Sequence, residues 1–272
     1  MNKINLKNYA EIESHIDESA ISILESVQWE FEWIQFHSFE PNAQDLKILN
    51  EYFKKHPRIY LRGVKTEWLE FLPDLQMLNF SYLLSENIEL IKNRKIVGLQ
   101  FEYEPDKKSD FSDILCFRET LEELRITGNY KNIEETVKQL TRLRKLAMTS
   151  VNLKTLSFVE NLRIEDFYYY GSRIKDWSDL AKVSTIRKFK LKTNSNLENL
   201  DFITNWTELE ELELWYCSGF LRFPNSNNLK SIKKVLLYDC NKLSDIEELK
   251  KLKNVHIRAN GKIMPNKFYE AN

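Results

Sequence analysis

One apolar pattern recurs seven times between residues 121 and 260, and no other feature of the sequence restricts the fold as much. The pattern is L-x-x-L-x-L-x-x-N/C, with apolar side chains at positions 1, 4 and 6 and Asn, Ser or Cys at position 9 in all copies but one. Successive copies begin 22, 21, 22, 23, 23 and 20 residues apart. The copies begin at Leu121, Leu143, Ile164, Ile186, Leu209, Ile232 and Leu252. A fixed period of this kind predicts a stack of similar units.

Positions 4 and 6 share one face of an extended segment, because side chains alternate along a β-strand. One such unit cannot bury that face alone, so we expect the units to stack with their strands about 4.8 Å apart in a parallel sheet. Each buried Leu, Ile or Phe then contributes roughly 1.5–3 kcal/mol, which offsets the entropy lost on ordering the chain. The position-4 residues should form one buried column: Leu124, Leu146, Phe167, Phe189, Leu212 and Val235.

This combination of period and pattern resembles the leucine-rich repeats of the twenty-two-residue class, found in internalin-like proteins and in intracellular regulators. The resemblance covers about residues 75–260. It implies an α/β solenoid, or horseshoe, with a parallel β-sheet on the concave face and short helices on the convex face. Apolar residues at helical spacing between strands, such as Ile133, Val137 and Leu140, agree with such helices, and residues 244–247 match a capping box. Families of this kind bind proteins, mostly on the concave face.

The chain ahead of the clear array is less regular. Two degenerate copies begin at Leu75 and Ile96, and residues 105–110 lengthen the second one, where we expect a surface excursion. Further upstream, the sequence predicts a helix over 8–27, a strand over 29–39, a helix over 42–55 capped by Asn42 and a strand over 58–61. Counting these strands, the array should hold ten or eleven. We expect three parts: an N-terminal helix with a capping strand-helix-strand unit (1–62), the repeats (63–261, degenerate to 120 and clear from 121), and a C-terminal cap or tail (262–272).

Composition indicates which kinds of partner and which cellular compartment to expect. Lys and Arg number 40 and Asp and Glu 41, a net charge of -1, so the chain lacks the overall positive field that attracts nucleic acid or an anionic membrane. The sequence contains neither an export signal nor an apolar run long enough to cross a bilayer. Its three cysteines, without CxxC spacing, favour neither a disulfide framework nor a zinc site. We expect a cytoplasmic protein that is a monomer when free.

Position 9 predicts a structural role. A side chain that turns inward beneath the bend must satisfy backbone groups freed there, and Asn supplies both a donor and an acceptor. Asn129, Asn194 and Asn260 fit this role. Cys217 and Cys240 occupy the same place in successive copies, so we interpret them as small buried side chains and not as ligands or nucleophiles.

Positions 2 and 3 carry charges whose sign alternates from copy to copy. Glu122-Glu123 is followed by Arg144-Lys145, then Glu165-Asp166, Arg187-Lys188, Glu210-Glu211 and Lys233-Lys234. In a parallel stack each acidic pair lies between two basic pairs, and each cross-strand contact is worth roughly 0.2–1 kcal/mol. We interpret this alternation as a code for strand register. The other interpretation is a docking surface of mixed charge.

Aromatic side chains at positions 5, 7 and 8 favour a binding role, because the core does not require them. Tyr and Trp are enriched among interface residues whose truncation costs about 2 kcal/mol or more. The alternative is that they only cover a sheet face. We expect the partner-binding residues to be Tyr168, Tyr170, Lys190, Lys192, Trp215, Tyr216, Tyr238 and Arg258.

The sequence lacks the common motifs for catalysis, cofactor binding and metal binding. G-x-G-x-x-G, the P-loop, H-E-x-x-H and G-x-S-x-G do not occur, and the four histidines are widely separated. The sequence therefore favours a non-enzymatic module without cofactor or metal, which binds a protein on its concave face, in a concrete version as an inhibitor or immunity protein. The alternatives are an enzyme with a site in the irregular first 120 residues, or a scaffold adaptor. Alternating charges speak against nucleic-acid binding.

Overall fold

A computed structural model of the chain describes residues 4–6, 9–27, 31–104, 109–253, 255–259 and 268–270. In this part of the chain the strands form one open 14-stranded sheet in which they follow one another in chain order. The strands are β1 (Ile4–Leu6), β2 (Ala10–Ile12), β3 (Trp33–Phe36), β4 (Tyr60–Leu61), β5 (Met77–Phe80), β6 (Gly98–Phe101), β7 (Glu123–Thr127), β8 (Lys145–Thr149), β9 (Asp166–Tyr170), β10 (Lys188–Lys192), β11 (Glu211–Trp215), β12 (Lys234–Tyr238), β13 (His256–Ala259) and β14 (Phe268–Glu270). The terminal pairs β1-β2 and β13-β14 are antiparallel, and the pairs between them are parallel.

Short helices connect the strands. The α-helices are α1 (Glu18–Ser26), α2 (Ala43–Lys55), α3 (Ser85–Ile91), α4 (Ile133–Val137) and α5 (Glu247–Lys250). Other connections contain the 3-10 helices Thr66–Phe71, Phe111–Phe117, Ser157–Val159, Ser178–Lys182 and Asp201–Asn205. A parallel sheet with a short helix between successive strands is the predicted leucine-rich-repeat solenoid, which is confirmed.

The buried column expected from position 4 is also confirmed. Leu124 pairs with Leu146, which pairs with Phe167, and the series continues through Phe189 and Leu212 to Val235. All six side chains are at most 1% exposed. The same column extends toward the N-terminus through Leu99, Leu78, Leu61, Ile34 and Ala10. One continuous core therefore joins the degenerate copies to the clear ones.

Aromatic rings fill the middle of this core. The rings of Phe167 and Phe189 stack with centroids 6.0 Å apart, and Trp206 meets Phe189 edge-on at 5.4 Å. The indole N–H of Trp206 donates to the carbonyl oxygen of Leu180 at 3.1 Å, so its polar atom is satisfied inside the core. Packing between neighbouring repeats thus depends on large side chains from both the strands and the return segments.

Position 8 has a left-handed backbone in the first six clear repeats. The φ angles there lie between 52° and 81°, at Gly128, Ser150, Gly171, Thr193, Tyr216 and Asp239. In five of these repeats the position-8 N–H donates to the position-7 carbonyl of the next strand at 2.7–2.8 Å. This bond adds one more hydrogen bond to the ladder between neighbouring strands while the chain turns away. The strands of these repeats therefore end at the same level of the sheet.

Position 9 fulfils its structural prediction in part. Asn194 is buried, accepts from the N–H groups of Asn196 and Leu197, and donates to the carbonyl of Ile174. Cys217 and Cys240 are also fully buried. Asn129 stays partly exposed, but its side-chain oxygen accepts from the N–H of Asn152 at 2.7 Å, and Asn260 lies outside the described residues.

The N-terminal part differs from the expected elements in two ways. The helix predicted over 8–27 is wrong in its first half, where β2 lies in the sheet with all of its side chains buried, and α1 begins only after Asp17, whose side chain caps it. The strand predicted over 29–39 is β3, shorter than expected, and residues 28–30 lie outside the described part. The helix after Asn42 is confirmed, with a capping box completed by Asp45.

The last repeat is shifted by two residues from the sequence template. The template places Val255 at position 4, yet Val235 pairs with Ile257 in the sheet. The capping box expected over 244–247 is also wrong, because α5 has no side-chain cap and Asp245 accepts from the N–H of Glu247. The strand count exceeds the predicted ten or eleven, since short strands such as β2 and the antiparallel end strands carry no repeat pattern. The excursion expected over 105–110 lies mostly outside the described residues.

Candidate functional site

Three rows of side chains lie on the concave face, because alternate residues of each strand point away from the buried column. The charged row holds Glu123, Lys145, Asp166, Lys188, Glu211 and Lys234. The middle row holds Arg125, Ala147, Tyr168, Lys190, Glu213, Leu236 and Arg258. The outer row holds Thr127, Thr149, Tyr170, Lys192, Trp215 and Tyr238.

The charged row confirms the predicted alternation of sign between neighbouring strands. Lys145 lies 3.0 Å from Glu123, and Lys188 lies 3.2 Å from Glu211. Position 2 forms a second ladder beside it, in which Glu210 accepts from both Lys233 and Arg187. These two hydrogen bonds lower the pKa of Glu210 to about 2. Within each ladder, opposite charges on neighbouring strands neutralise one another.

The concave face is filled at its N-terminal end. Tyr60, Met77 and Val97 form a small buried cluster there, against which Trp33 packs. Gly98 makes this packing possible, because a Cβ at that position would lie 2.6 Å from both Met77 and the Tyr60 hydroxyl. The strands β3 to β6 therefore present little open concave surface.

Two long-range ion pairs border this filled region. Arg58 lies 2.6 Å from Glu122, and Glu32 lies 3.1 Å from Arg125, although each pair spans several strands of the sheet. Beyond these pairs a groove of about 430 Å³ runs over β7 to β10, with Tyr168 in its lining. The groove accordingly lies over the clear repeats.

The outer row carries a compact group of aromatic rings around one lysine, which we call the Lys192 cluster (Tyr170, Lys192, Trp215, Tyr216 and Tyr238). The Lys192 Nζ lies 5.0 Å from the centre of the Tyr170 ring and 6.0 Å from those of Trp215 and Tyr216. Tyr238 joins the group, with its ring centroid 5.1 Å from that of Trp215 and 5.5 Å from that of Tyr216. Such cation–π contacts fix the lysine while the rings keep an outer face toward solvent.

Tyr216 stands at a position that its residue type disfavours. Its φ is 57°, in the left-handed region where the equivalent residues of two other repeats are Gly128 and Gly171. A bulky side chain costs roughly 1–2 kcal/mol in this conformation. The ring nevertheless stays 45% exposed, so the core gains little from it. The same backbone conformation occurs at Ser150, Thr193 and Asp239, so it belongs to the repeat turn, and the exposed ring is what distinguishes Tyr216.

The eight residues expected to bind a partner separate into two places. Five of them form the Lys192 cluster. Tyr168 and Lys190 lie in the middle row and line the groove. Arg258 lies beside Leu236 in the middle row. The template places Arg258 at position 7, in the outer row, and the two-residue register shift of the last repeat moves it to position 5.

Glu213 is a residue that the sequence argument missed. Its carboxylate is 6% exposed, and lies 2.7 Å from Lys234 and 3.4 Å from Lys190. Burial alone would raise the pKa of Glu213, but the Lys234 hydrogen bond and the Lys190 charge hold it below its usual value. Lys190 is therefore neutralised within the protein. The sequence signal for this ion-paired group was an acidic residue at position 5. The preceding repeat has a lysine at position 5, Lys190, and the following repeat has one at position 3, Lys234.

A second exposed aromatic pair lies apart from the cluster in sequence. Tyr82 and Tyr103 occupy position 8 of the two degenerate repeats, with ring centroids 5.7 Å apart and exposures of 46% and 53%. They have no lysine over their rings among the described cation–π contacts. This pair is a natural comparison for the Lys192 cluster.

The histidine that lies nearest a carboxylate has a structural role. His15 Nδ1 lies 2.9 Å from Asp45, but that carboxylate also accepts from the N–H groups of Ile16 and Asn42. It thereby caps α2 and ties it to the preceding segment. Within the described ranges, no group of three or more His, Cys, Asp or Glu is placed to hold a metal ion. None of the helices described is long and apolar enough to cross a membrane.

The fold and its open concave face define the class: the chain is a leucine-rich-repeat solenoid. Among solved structures it is similar to internalin C2 from Listeria monocytogenes, with a TM-score of 0.53 and 19% identity over 73% of this chain and 84% of that one. It is similar to internalin F from the same organism, with a TM-score of 0.53 and 14% identity over 92% of this chain and 79% of that one. A scan against protein-family models and a search of curated proteins gave no match.

Proposed function

We propose that this protein is a non-enzymatic module that binds another protein on the concave face of its sheet, over β9 to β13. The observation that carries the proposal is the Lys192 cluster. Aromatic rings with one face toward solvent provide large contact area at low entropic cost, and such residues dominate interface energetics. Here Tyr170, Trp215 and Tyr238 share the outer row of the sheet and Tyr216 follows Trp215 in the turn, so the sheet positions the rings before a partner binds.

The surroundings of the cluster support the same surface. Glu213 and its lysines are already paired, and the N-terminal concave face is filled by its own small core. The concave surface available to a partner therefore consists of a sheet whose charges are largely paired and of one group of exposed rings. We propose an inhibitor or immunity protein that covers a toxin or an enzyme as the concrete form of this function.

The proposal includes a free protein that is monomeric, resides in the cytoplasm and contacts neither nucleic acid nor membrane. A net charge of -1 and ladders of alternating sign support the exclusion of polyanionic partners. Unpaired cysteines support a reducing compartment.

The experiment compares two matched double variants in affinity capture from a native lysate, followed by mass spectrometry. Trp215→Ala with Tyr238→Ala removes two rings of the cluster, and Tyr82→Ala with Tyr103→Ala removes the comparison pair. We expect a protein captured by the wild type to be captured equally by the second variant and lost from the first, with unchanged far-UV circular dichroism in both. Equal capture by both variants would contradict a role for the cluster.

A further inference from the structure

Lys192 differs from the other lysines of the open concave face in what holds its ammonium group. The others lie near carboxylates: Lys188 is 3.2 Å from Glu211, Lys190 is 3.4 Å from Glu213 and Lys234 is 2.7 Å from Glu213. The Lys192 Nζ instead lies over the rings of Tyr170, Trp215 and Tyr216. No salt bridge involves Lys192 within the described part of the chain.

We propose that Lys192 and the rings around it bind a carboxylate side chain in an acidic segment of the protein partner. This inference rests on the function proposed above and specifies the chemistry of the partner. An ammonium group has three hydrogen-bond donors, and ring faces offer them no oxygen or nitrogen acceptor. When a partner covers the concave face, Lys192 loses water, and a carboxylate is the group that compensates a desolvated ammonium.

The charge of the surrounding surface favours the same partner. The concave rows of β9 to β12 carry four cationic and three anionic side chains, a local excess of one positive charge in a chain whose net charge is -1. The cations are Lys188, Lys190, Lys192 and Lys234, and the anions are Asp166, Glu211 and Glu213. Such an excess attracts an acidic segment and repels a basic one.

The rings also specify what should flank the carboxylate. Tyr170, Tyr216 and Tyr238 are 37%, 45% and 43% exposed. Tyr170 lies on the strand before that of Lys192, Tyr216 follows the strand after it, and Tyr238 lies one strand further on. Apolar or aromatic side chains next to the acidic residue would cover these rings. We therefore expect a motif in which Asp or Glu stands beside large apolar residues, since neither a purely acidic run nor a purely apolar one satisfies both parts of the cluster.

The test uses a phage-displayed library of random linear peptides, selected on the immobilised full-length protein. The leading peptide is then measured against the wild type and two matched variants by fluorescence anisotropy. Lys192→Met removes the charge of the cluster but keeps an unbranched side chain. Lys182→Met makes the same change away from the strands of the concave face, on the 3-10 helix Ser178–Lys182, at a lysine that is paired with Glu160.

We expect the selection to enrich acidic peptides, whose affinity falls about tenfold or more in Lys192→Met and less than about threefold in Lys182→Met. Affinity for the wild type should also weaken as sodium chloride is raised. A selection that enriches no acidic sequence, or a Lys192→Met variant that binds as tightly as the wild type, overturns the inference. Peptides that lack acidic residues but lose binding in Trp215→Ala would overturn it while leaving the proposed docking face intact.

Discussion

The backbone N–H of Tyr216 donates a 2.8 Å hydrogen bond to the carbonyl oxygen of Tyr238, and Tyr216 holds a left-handed backbone with a φ of 57°. The rings of the same two residues meet edge to face at 5.5 Å. The repeat turn therefore fixes the position of one ring of the Lys192 cluster, and the position of the other follows from the next strand. The turn after β11 is therefore itself part of the candidate site.

Replacement of Tyr216 by glycine should separate binding from stability. Glycine relieves left-handed strain of roughly 1–2 kcal/mol, while loss of the ring contact with Tyr238 costs roughly 0.5–1.5 kcal/mol. We expect the free energy of unfolding to stay within about 1 kcal/mol of the wild type, as measured by urea titration, while partner capture weakens. A variant that captures the partner as well as the wild type would remove Tyr216 from the site.

Truncation of Phe189 should be severely destabilising. This side chain is fully buried between Phe167 and Trp206 in the centre of the aromatic core. Phe189→Ala should lower the free energy of unfolding by about 3–5 kcal/mol, as monitored by circular dichroism during urea denaturation. The control Tyr82→Ala, at an exposed ring that contacts only Tyr103 among the described ring pairs, should change it by no more than about 1.5 kcal/mol. Similar values for both variants would contradict the assigned packing.

Because of the ladder around Glu210, the free energy of unfolding should depend on pH in the acidic range. Hydrogen bonds from Lys233 and Arg187 lower the folded-state pKa of Glu210 to about 2, from an ordinary value of 4.5. The stabilising contribution of this carboxylate is therefore complete above about pH 4.5 and is lost as the pH falls toward about 2. Urea midpoints measured across this window should fall less steeply for Glu210→Gln than for the wild type.

The control for the acid experiment is Glu51→Gln. Glu51 lies on α2, away from the ladder, with a side chain that is 69% exposed. We expect this variant to keep the wild-type dependence of the urea midpoint on pH. If both variants show the wild-type slope, the ladder does not supply the pH dependence.

The three thiols should differ sharply in reactivity. Burial raises the pKa of Cys217 to about 11 and that of Cys240 to about 12, and both side chains are fully buried, whereas Cys116 is exposed. Only a thiolate reacts readily, so Ellman's reagent at neutral pH should titrate Cys116 alone in the folded protein and all three thiols in guanidinium chloride. Cys116→Ser should leave the folded protein unreactive. Rapid labelling of Cys217 in that variant would be incompatible with its placement in the core.

The sequence by itself determined the stack. Because the period was regular and side chains alternate along a strand, the pairing of Leu124 with Leu146 and onward to Val235 followed from spacing alone, as did the neighbouring opposite charges at Glu123 and Lys145. The sequence also brought Trp215 and Tyr238 to one row. Spacing was insufficient where the pattern was weak, so the position of β2 and the register of β13 were missed.

Only the tertiary structure decided which part of the concave face is open and which lysine lacks a carboxylate beside it. The Arg58–Glu122 pair spans 64 residues and the Glu32–Arg125 pair spans 93, so both depend on how the sheet curves across several strands. Lys190 and Lys192 are alike in sequence, yet one meets Glu213 and the other meets three rings. A repeat period specifies which residues share a face, but contacts between side chains also depend on curvature and on rotamers, which are set by packing in three dimensions.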